Sequence, residues 1–379
     1  MSDHRHLYDA FDSELCLIGA ATDEALVDEV HRLRCYLDQV PQSTLEDIAY
    51  TCAYQARNQP CIVALVASSL QDLRLRLDSV HKKLSENVAR IRDKNGVYFS
   101  RERMAQHGRI AFLFPGVTSF YPDMLRDLNL VFDDCRSVFD ELEEAIRVDT
   151  RDSFIPSDYI FPPSAIYRDS HMMPADLFSE SLIATHAANL AFFRLFERIS
   201  LHPDGLLGFS GGDFAALDVA GVYGALSRNK RIQFMREGYT MLNSLTDRDD
   251  LPQCAMLVVI DAPANLLTEL CERYPGRVVI SSYDSARQHV LALSPEIYAE
   301  TVEQLQKANA RCVQVPMKWP FSTPWCAKVL PTIRQFLSHW VRHVPRIPVY
   351  SCATADRLSA HPPDTLTLTP DHCISPLLF

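Results

Sequence analysis

The hydrophobic pattern of the chain alternates between short continuous apolar runs and longer segments in which apolar residues recur every three or four positions. The runs predict buried β-strands, and the spaced segments predict amphipathic α-helices. The predicted strands are 15–18, 61–67, 110–114, 205–208, 255–260, 277–280, 289–293, 312–315 and 349–351. Helices are predicted between most of them, which indicates the α/β fold class.

The order of these elements divides the chain into parts. We expect the polar residues 1–13 to be disordered and residues 14–108 to form an α+β domain that ends in a connector, 85–108. Residues 251–316 follow the order βαββαβ, which is the ferredoxin-like pattern. We therefore predict that they are inserted into a parallel-sheet α/β core formed by 109–250 and 317–379.

The charge, the length of the apolar runs and the cysteine spacing exclude several classes of protein. The 379 residues carry 37 Lys and Arg against 48 Asp and Glu, a net charge of −11, which argues against a general nucleic-acid binder. No apolar run reaches the ~18 residues of a transmembrane helix, and the polar N-terminus has no signal-peptide core. The eleven cysteines include no C-x-x-C pair and no metal-ligand spacing. We interpret them as reduced thiols of a cytoplasmic protein. The sequence as a whole implies no metal, no tightly held cofactor and no membrane partner.

One short segment contains a candidate catalytic nucleophile. Residues 208–212 fit the pattern G-x-S-x-G, between a predicted strand and a predicted helix. In this motif a sharp turn, the nucleophile elbow, holds the serine hydroxyl at the end of the sheet, as in hydrolase-like α/β folds. Ser210 is therefore a candidate nucleophile, and the amide of Gly211 is a candidate donor to a developing oxyanion. The alternative is a glycine-rich turn in which Ser210 only caps the helix.

Three stretches resemble the malonyl/acyl-CoA:acyl-carrier-protein transacylases, which include the acyltransferase domains of type I polyketide synthases. The stretches are AFLFPG at 111–116, LLGFSGGDFAALDVAG at 206–221 and VYS at 349–351. The predicted insertion lies where that family carries its small subdomain. Residues 14–90 are similar to the linker domain between ketosynthase and acyltransferase, and 160–163 is similar to a loop of enediyne and polyunsaturated-fatty-acid synthases. The resemblance covers nearly the whole chain from residue 14.

The resemblance implies a ping-pong reaction in polyketide or fatty-acid biosynthesis. Ser210 would take an acyl group from acyl-CoA and pass it to the phosphopantetheine thiol of an acyl carrier protein. The amides of Gly211 and Val117 would form the oxyanion hole. Arg236 corresponds to the arginine that pairs with the free carboxylate of malonyl groups, which favours malonyl-CoA as substrate; otherwise Arg236 is a helix-surface residue. A ketosynthase or another synthase domain would be a further partner.

The active-site positions of the family are altered in this chain. Ser322 lies where the family has its general-base histidine, and a hydroxyl cannot act as a base at neutral pH. Phe209 replaces the histidine before the nucleophile, and Asp213 replaces a glutamate after it. Trp319 and Phe321 precede Ser322 in the specificity motif, so we expect them, with Phe209, to contact the substrate.

Two readings follow from these departures. In the first, which we favour, the chain is a working acyltransferase with a different base. His186, at the position of an active-site glutamine of the family, is the candidate replacement, unless it is a packed helix histidine; Asp213 is a weaker candidate. In the second, the chain is a pseudo-acyltransferase that binds a carrier protein or holds a synthase together. An editing hydrolase is a weaker third idea, because it also needs a base.

Acyl carrier proteins are typically acidic, so the resemblance implies a locally basic docking face. Arg228, Lys230 and Arg231 form one candidate cluster, and the stretch 82–94 forms another. The alternative for both is ordinary solvated charge.

Overall fold

The computed structural model describes residues 12–39, 43–102, 108–147, 154–162, 177–315, 317–341, 343–358 and 370–379. The chain forms two compact units, Met1–Arg109 and Ile110–Phe379. Most of the predicted disordered segment 1–13 and Pro163, the last residue of the stretch 160–163, lie outside the described residues.

Over its described residues, the first unit is an antiparallel sheet with three helices, and the predicted strands 15–18 and 61–67 are two of its four strands. Its strands have the order β1-β2-β4-β3. The elements are β1 (Glu14–Ala20), α1 (Asp23–Gln39), α2 (Leu45–Ala56), β2 (Cys61–Ala67), α3 (Leu70–Ser85), β3 (Arg90–Asp93) and β4 (Val97–Ser100).

The predicted connector 85–108 is wrong, because part of it is the hairpin of β3 and β4. Ile91, Val97 and Phe99 are buried in the core of this unit, while the residues between them face outward. The turn contains Gly96 with φ +84°, a conformation that glycine adopts without strain. Charged residues on the outer face of β3 concealed the two-residue period.

The second unit contains an α/β core. Its first part comprises β5 (Ala111–Phe114), α4 (Arg126–Val131), α5 (Asp133–Ile146), α6 (Pro156–Ile160), α7 (Phe178–Arg198), β6 (Gly205–Gly208), α8 (Gly212–Val219) and α9 (Arg228–Thr246). After an insertion the core continues with α12 (Leu330–Trp340), β11 (Val349–Ser351) and β12 (Asp356–Arg357). The sheet has the order β12-β11-β6-β5, and buried side chains of α8, α9 and α12 pack with it in one hydrophobic core.

The three parallel strands of this sheet end at the same level. Gly208 at the end of β6 pairs with Phe114 of β5 on one side and with Ser351 of β11 on the other. Ligands of open α/β sheets bind outside the carboxyl ends of the strands. The loops that follow Phe114, Gly208 and Ser351 therefore mark where a site is expected.

The insertion is the predicted ferredoxin-like subdomain. It comprises β7 (Ala255–Ile260), α10 (Ala264–Arg273), β8 (Val278–Ser285), β9 (Gln288–Leu293), α11 (Tyr298–Lys307) and β10 (Arg311–Val315). Its sheet has the order β10-β7-β9-β8 and gains a fifth strand, β13 (Leu377–Leu378), parallel to β8. Residues 377–378, predicted with the core, thus pair with the subdomain instead. Leu378 also keeps a link to the core, since its amide donates to the Cys352 carbonyl at 2.7 Å.

Among the residues that the structure describes, no helix has the length and apolar character needed to cross a membrane. The same residues include no group of three or more His, Cys, Asp or Glu side chains arranged to hold a metal ion.

Candidate active site

The G-x-S-x-G segment forms a strained turn between β6 and α8. Ser210 has φ 55°, in the left-handed region that non-glycine residues seldom adopt. Gly212 is required for this turn, because a Cβ there would lie 1.9 Å from the backbone oxygen of Phe114. The Ser210 amide donates to the Cys352 sulfur at 3.3 Å. This is the geometry of a nucleophile elbow, with Ser210 at the carboxyl end of the parallel strands.

The loop after β5 packs directly against this turn. A Cβ built at Gly116 would lie 2.8 Å from the Phe209 carbonyl oxygen and 3.1 Å from the Ser210 Cβ, so only glycine allows the approach. Val117, the next residue, and Gly211 line the same cavity as Ser210. The two residues predicted to supply oxyanion donors are therefore brought together beside the serine.

Ser210 lines a cavity of about 250 Å³ between the core and the ferredoxin-like sheet. Its walls are mainly apolar: Phe321 stacks on Phe178 with ring centroids 4.8 Å apart, and both line the cavity with Phe209. Trp319 lies behind this layer, against Phe178, and its indole N–H donates to the Thr246 carbonyl at 3.3 Å. The predicted substrate contacts of Phe321 and Phe209 are thus placed at the cavity, and that of Trp319 is not.

Arg236 does not lie at this cavity, contrary to the sequence-based expectation. Its guanidinium donates to the carbonyl oxygens of Ala145 at 3.0 Å and Glu144 at 3.3 Å, in the last turn of α5. The carbonyls at a helix C-terminus carry partial negative charge and attract a cation. Arg236 therefore joins α9 to α5 and is not placed to bind a substrate carboxylate.

His186 is also separated from Ser210. It is buried in α7 and lines a different cavity of about 40 Å³, with its Nε2 4.0 Å from the Asp218 carboxylate. Leu182, one turn earlier in α7, packs against Gly211 and occupies the side that faces the elbow. Burial lowers the pKa of His186 to about 4, so the ring is neutral at pH 7. The His186 cavity adjoins the Ser210 cavity at Gly211 and Phe214, but His186 does not line the Ser210 cavity, so its position does not support a role as the replacement base.

A different histidine lines the Ser210 cavity. His372 is 4% exposed, and its Nδ1 lies 3.3 Å from Oδ2 of Asp213. Asp213 is 2% exposed and lies in the first turn of α8, three residues after Ser210. The Ser351 hydroxyl donates to the same Asp213 oxygen at 3.1 Å. The structure thus places a buried His–Asp pair next to the elbow.

The two members of this pair influence each other. Burial lowers the pKa of His372, but its neighbours Cys373 and Asp213 raise it, and the result lies well above the usual value near 6.5. Burial raises the pKa of Asp213, against the opposing effects of His372 and Ser351. Cys352 also faces the pair; burial raises the pKa of its thiol to about 11, so it is neutral.

Ser322 lies beside His372 in the fold. It is 3% exposed, and its amide donates to the carbonyl of Cys373, the next residue after His372, at 2.9 Å. Position 322, where the transacylases that the sequence resembles have a histidine, therefore lies in a segment adjacent to His372. The resemblance places the general base at position 322 and its candidate replacement at position 186, and it assigns no role to residue 372. A signal did exist: Asp213 in an apolar helix start requires a buried partner.

The basic cluster of α9 is largely neutralised. Arg228 pairs with Glu144 at 2.6 Å, and the Arg231 Nε donates to Glu141 at 2.7 Å. In the first unit, Lys83 pairs with Asp93 at 3.5 Å. The α9 residues therefore do not form the free basic face that the sequence suggested.

The known proteins that are similar to this chain include acyltransferase domains and polyketide synthases. The family described as CurL-like, PKS C-terminal matches residues 14–77. Among solved structures, the acyl transferase domain of ZmaA has a TM-score of 0.75 at 19% identity, covering 97% of this chain and 79% of that chain. The acyltransferase domain of the iterative polyketide synthase in enediyne biosynthesis has a TM-score of 0.66 at 19% identity, covering 97% and 81%.

Curated relatives are much longer. The non-reducing polyketide synthase terA of Aspergillus terreus is 24% identical over 345 residues, which are 89% of this chain and 15% of the relative. The conidial pigment polyketide synthase PfmaE of Pestalotiopsis fici is 23% identical, over 88% of this chain and 14% of the relative. The chain thus spans about one-seventh of these two proteins.

Proposed function

We propose that this chain, an acyltransferase domain of the type I polyketide synthase kind, transfers acyl groups from coenzyme A to an acyl carrier protein through an ester on Ser210. The observation that carries the proposal is the elbow itself. Ser210 is held at φ 55° on the wall of an apolar cavity, with Gly211 and Val117 lining the same wall. Such a strained serine beside backbone donors suits covalent acyl transfer.

The reaction has two half-reactions. The Ser210 Oγ attacks the thioester carbonyl carbon of acyl-CoA, and the oxygen that becomes negative is held by the Gly211 and Val117 amides. The carbon–sulfur bond breaks, and coenzyme A leaves as the acyl-serine ester forms. The phosphopantetheine thiol of a carrier protein then attacks the same carbon and releases Ser210. No metal and no resident cofactor take part in this proposal.

The acyl group in this proposal is neutral, in place of the malonyl group expected from the sequence. That expectation depended on Arg236, whose guanidinium is bound to the end of α5. The cavity has apolar walls and includes the carboxylate of Asp284. A carboxylate repels the free carboxylate of malonyl, whereas an uncharged acyl chain gains from contact with apolar walls.

A non-catalytic role is the second candidate, and Ser322 is the observation that favours it. If no group replaces the family histidine, the fold would serve as a module that binds a carrier protein or a ketosynthase. Catalysis would then be only the residual part that the oxyanion hole supplies, typically about 10³–10⁴-fold over water.

Intact-protein mass spectrometry separates the two roles. The protein is incubated with acetyl-, hexanoyl- and malonyl-CoA, with Ser210→Ala as the control. A mass increase within minutes that requires Ser210 and is larger for the neutral acyl groups supports the proposal. A folded protein that gains no mass from any acyl-CoA would favour the non-catalytic role.

A further inference from the structure

We propose that His372, oriented by Asp213, is the general base and acid of this active site, in place of a histidine at position 322. The inference rests on the proposed acyl transfer through Ser210. It arises from packing that brings the segment before β13 next to the elbow and the first turn of α8, which follow one another in the sequence.

The first step of the argument is that the pair is built into the site. Asp213 follows Ser210 by less than one helical turn, so the carboxylate lies at the start of the helix that begins at the elbow. Ser351 donates to Asp213, and the adjacent Cys352 accepts from the Ser210 amide, so one strand end holds both groups. The rings of Phe214 and His372 form a T-shaped contact, with centroids 6.2 Å apart. His372 is thus contacted by two consecutive residues of α8, Asp213 and Phe214.

The second step concerns which nitrogen is available. Nδ1 of His372 lies 3.3 Å from Oδ2 of Asp213, within ion-pair range but without hydrogen-bond geometry, and His372 lines the same cavity as Ser210. We therefore assign Nδ1 to Asp213 and Nε2 to the reacting atoms. A carboxylate on Nδ1 selects the tautomer whose free Nε2 lone pair can accept a proton, and it stabilises the cation that results. Asp213 is therefore a positioning residue, and His372 is the residue that acts on the reacting atoms.

The third step is that the protons balance. As the Ser210 Oγ attacks the thioester carbon, its proton moves to Nε2 of His372. When the carbon–sulfur bond breaks, His372 returns that proton to the coenzyme A sulfur. In the second half-reaction His372 takes the proton of the carrier thiol and gives it to the Ser210 oxygen as the ester breaks. No further reactant is needed.

The decisive experiment measures the rate of Ser210 acylation by mass spectrometry in three variants. His372→Gln keeps a polar side chain but cannot take the proton, and we expect a loss of about 10²–10⁴-fold, the usual contribution of acid–base catalysis. His186→Gln, the matched buried histidine outside the cavity, should acylate at the parent rate. Adding Ser322→His to His372→Gln should restore part of the rate, because position 322 adjoins residue 372 and histidine tolerates the left-handed φ of 61° found there.

The outcomes separate this inference from the proposed function. Rapid acylation of the parent that persists in His372→Gln would overturn the role of His372 while acyl transfer through Ser210 stands. No acylation of the parent would overturn both. If His372→Gln fails to fold, the pH dependence of the parent decides. The rate should rise with pH with a midpoint above 6.5, and a rate that is flat from pH 5 to 9 would rule out His372 as the base.

Discussion

Replacing Asp213 with asparagine tests whether the carboxylate controls His372. The substitution keeps the size of the side chain and the hydrogen bond from Ser351, and it removes the negative charge 3.3 Å from Nδ1. Only a histidine in its neutral form can accept the Ser210 proton, so the acylation rate follows the deprotonated fraction of His372. The midpoint of the pH–rate profile therefore reports the pKa of that ring.

The structure contains its own reference for the size of the effect. His186 is a buried ring whose nearest carboxylate, that of Asp218, is 4.0 Å away, and burial lowers its pKa to about 4. His372 is equally buried, but its neighbours raise its pKa above 6.5. Replacing Asp213 removes part of what raises this pKa and leaves the lowering effect of burial and the raising effect of Cys373. The midpoint should therefore fall, by about 1–3 pH units, the usual effect of an adjacent opposite charge.

The assay is acylation of Ser210 by hexanoyl-CoA, followed by mass spectrometry in rapid-quench samples between pH 5 and 9. In Asp213→Asn we expect a lower plateau, because the ring is no longer held in the productive tautomer, together with the acid shift of the midpoint. A midpoint that stays in place, or moves to higher pH, would refute the coupling of Asp213 to the base. Loss of rate without a shift would indicate a purely structural role for Asp213.

Three further predictions follow from close contacts and charges. Gly212→Ala should abolish acylation and lower the melting temperature, since its Cβ would lie 1.9 Å from the Phe114 carbonyl; Gly238→Ala, whose Cβ has ordinary contacts at 3.6 Å, should fold and acylate like the parent. Asp284→Asn should raise the rate with malonyl-CoA relative to hexanoyl-CoA, and an unchanged ratio would show that this carboxylate does not select the acyl group. Arg236→Ala should leave that ratio unaltered in the same competition assay, whereas a selective loss of malonyl transfer would restore Arg236 to substrate binding.

The fold could be predicted from the sequence because its signals are local. Continuous apolar runs give the strands at 61–67 and 255–260, and the βαββαβ order identifies the subdomain. The hairpin after α3 was missed since charged residues alternate with Ile91 and hide the core-facing positions.

The site was predictable only where function depends on consecutive residues. Ser210 and Gly211 share one motif, and the close approach of Gly116 brings Val117 to them. His372 could not be placed by spacing, because its partner Asp213 lies 159 positions away and the pairing arises only from packing. Arg236 was misplaced for a related reason: a helical arginine can face either the cavity or a neighbouring helix end, and the sequence does not encode that rotation.

The short strand β13 has a mechanical consequence. Leu377 and Leu378 pair with β8 of the subdomain, and the Leu378 amide also bonds to Cys352 at the end of a core strand. The strand thus links the sheet of the subdomain to the sheet of the core, and it begins five residues after His372. If the subdomain rotated away from the core, either these hydrogen bonds would break or the segment that carries His372 would move with the subdomain. Movement of the subdomain relative to the core should therefore be coupled to the position of His372.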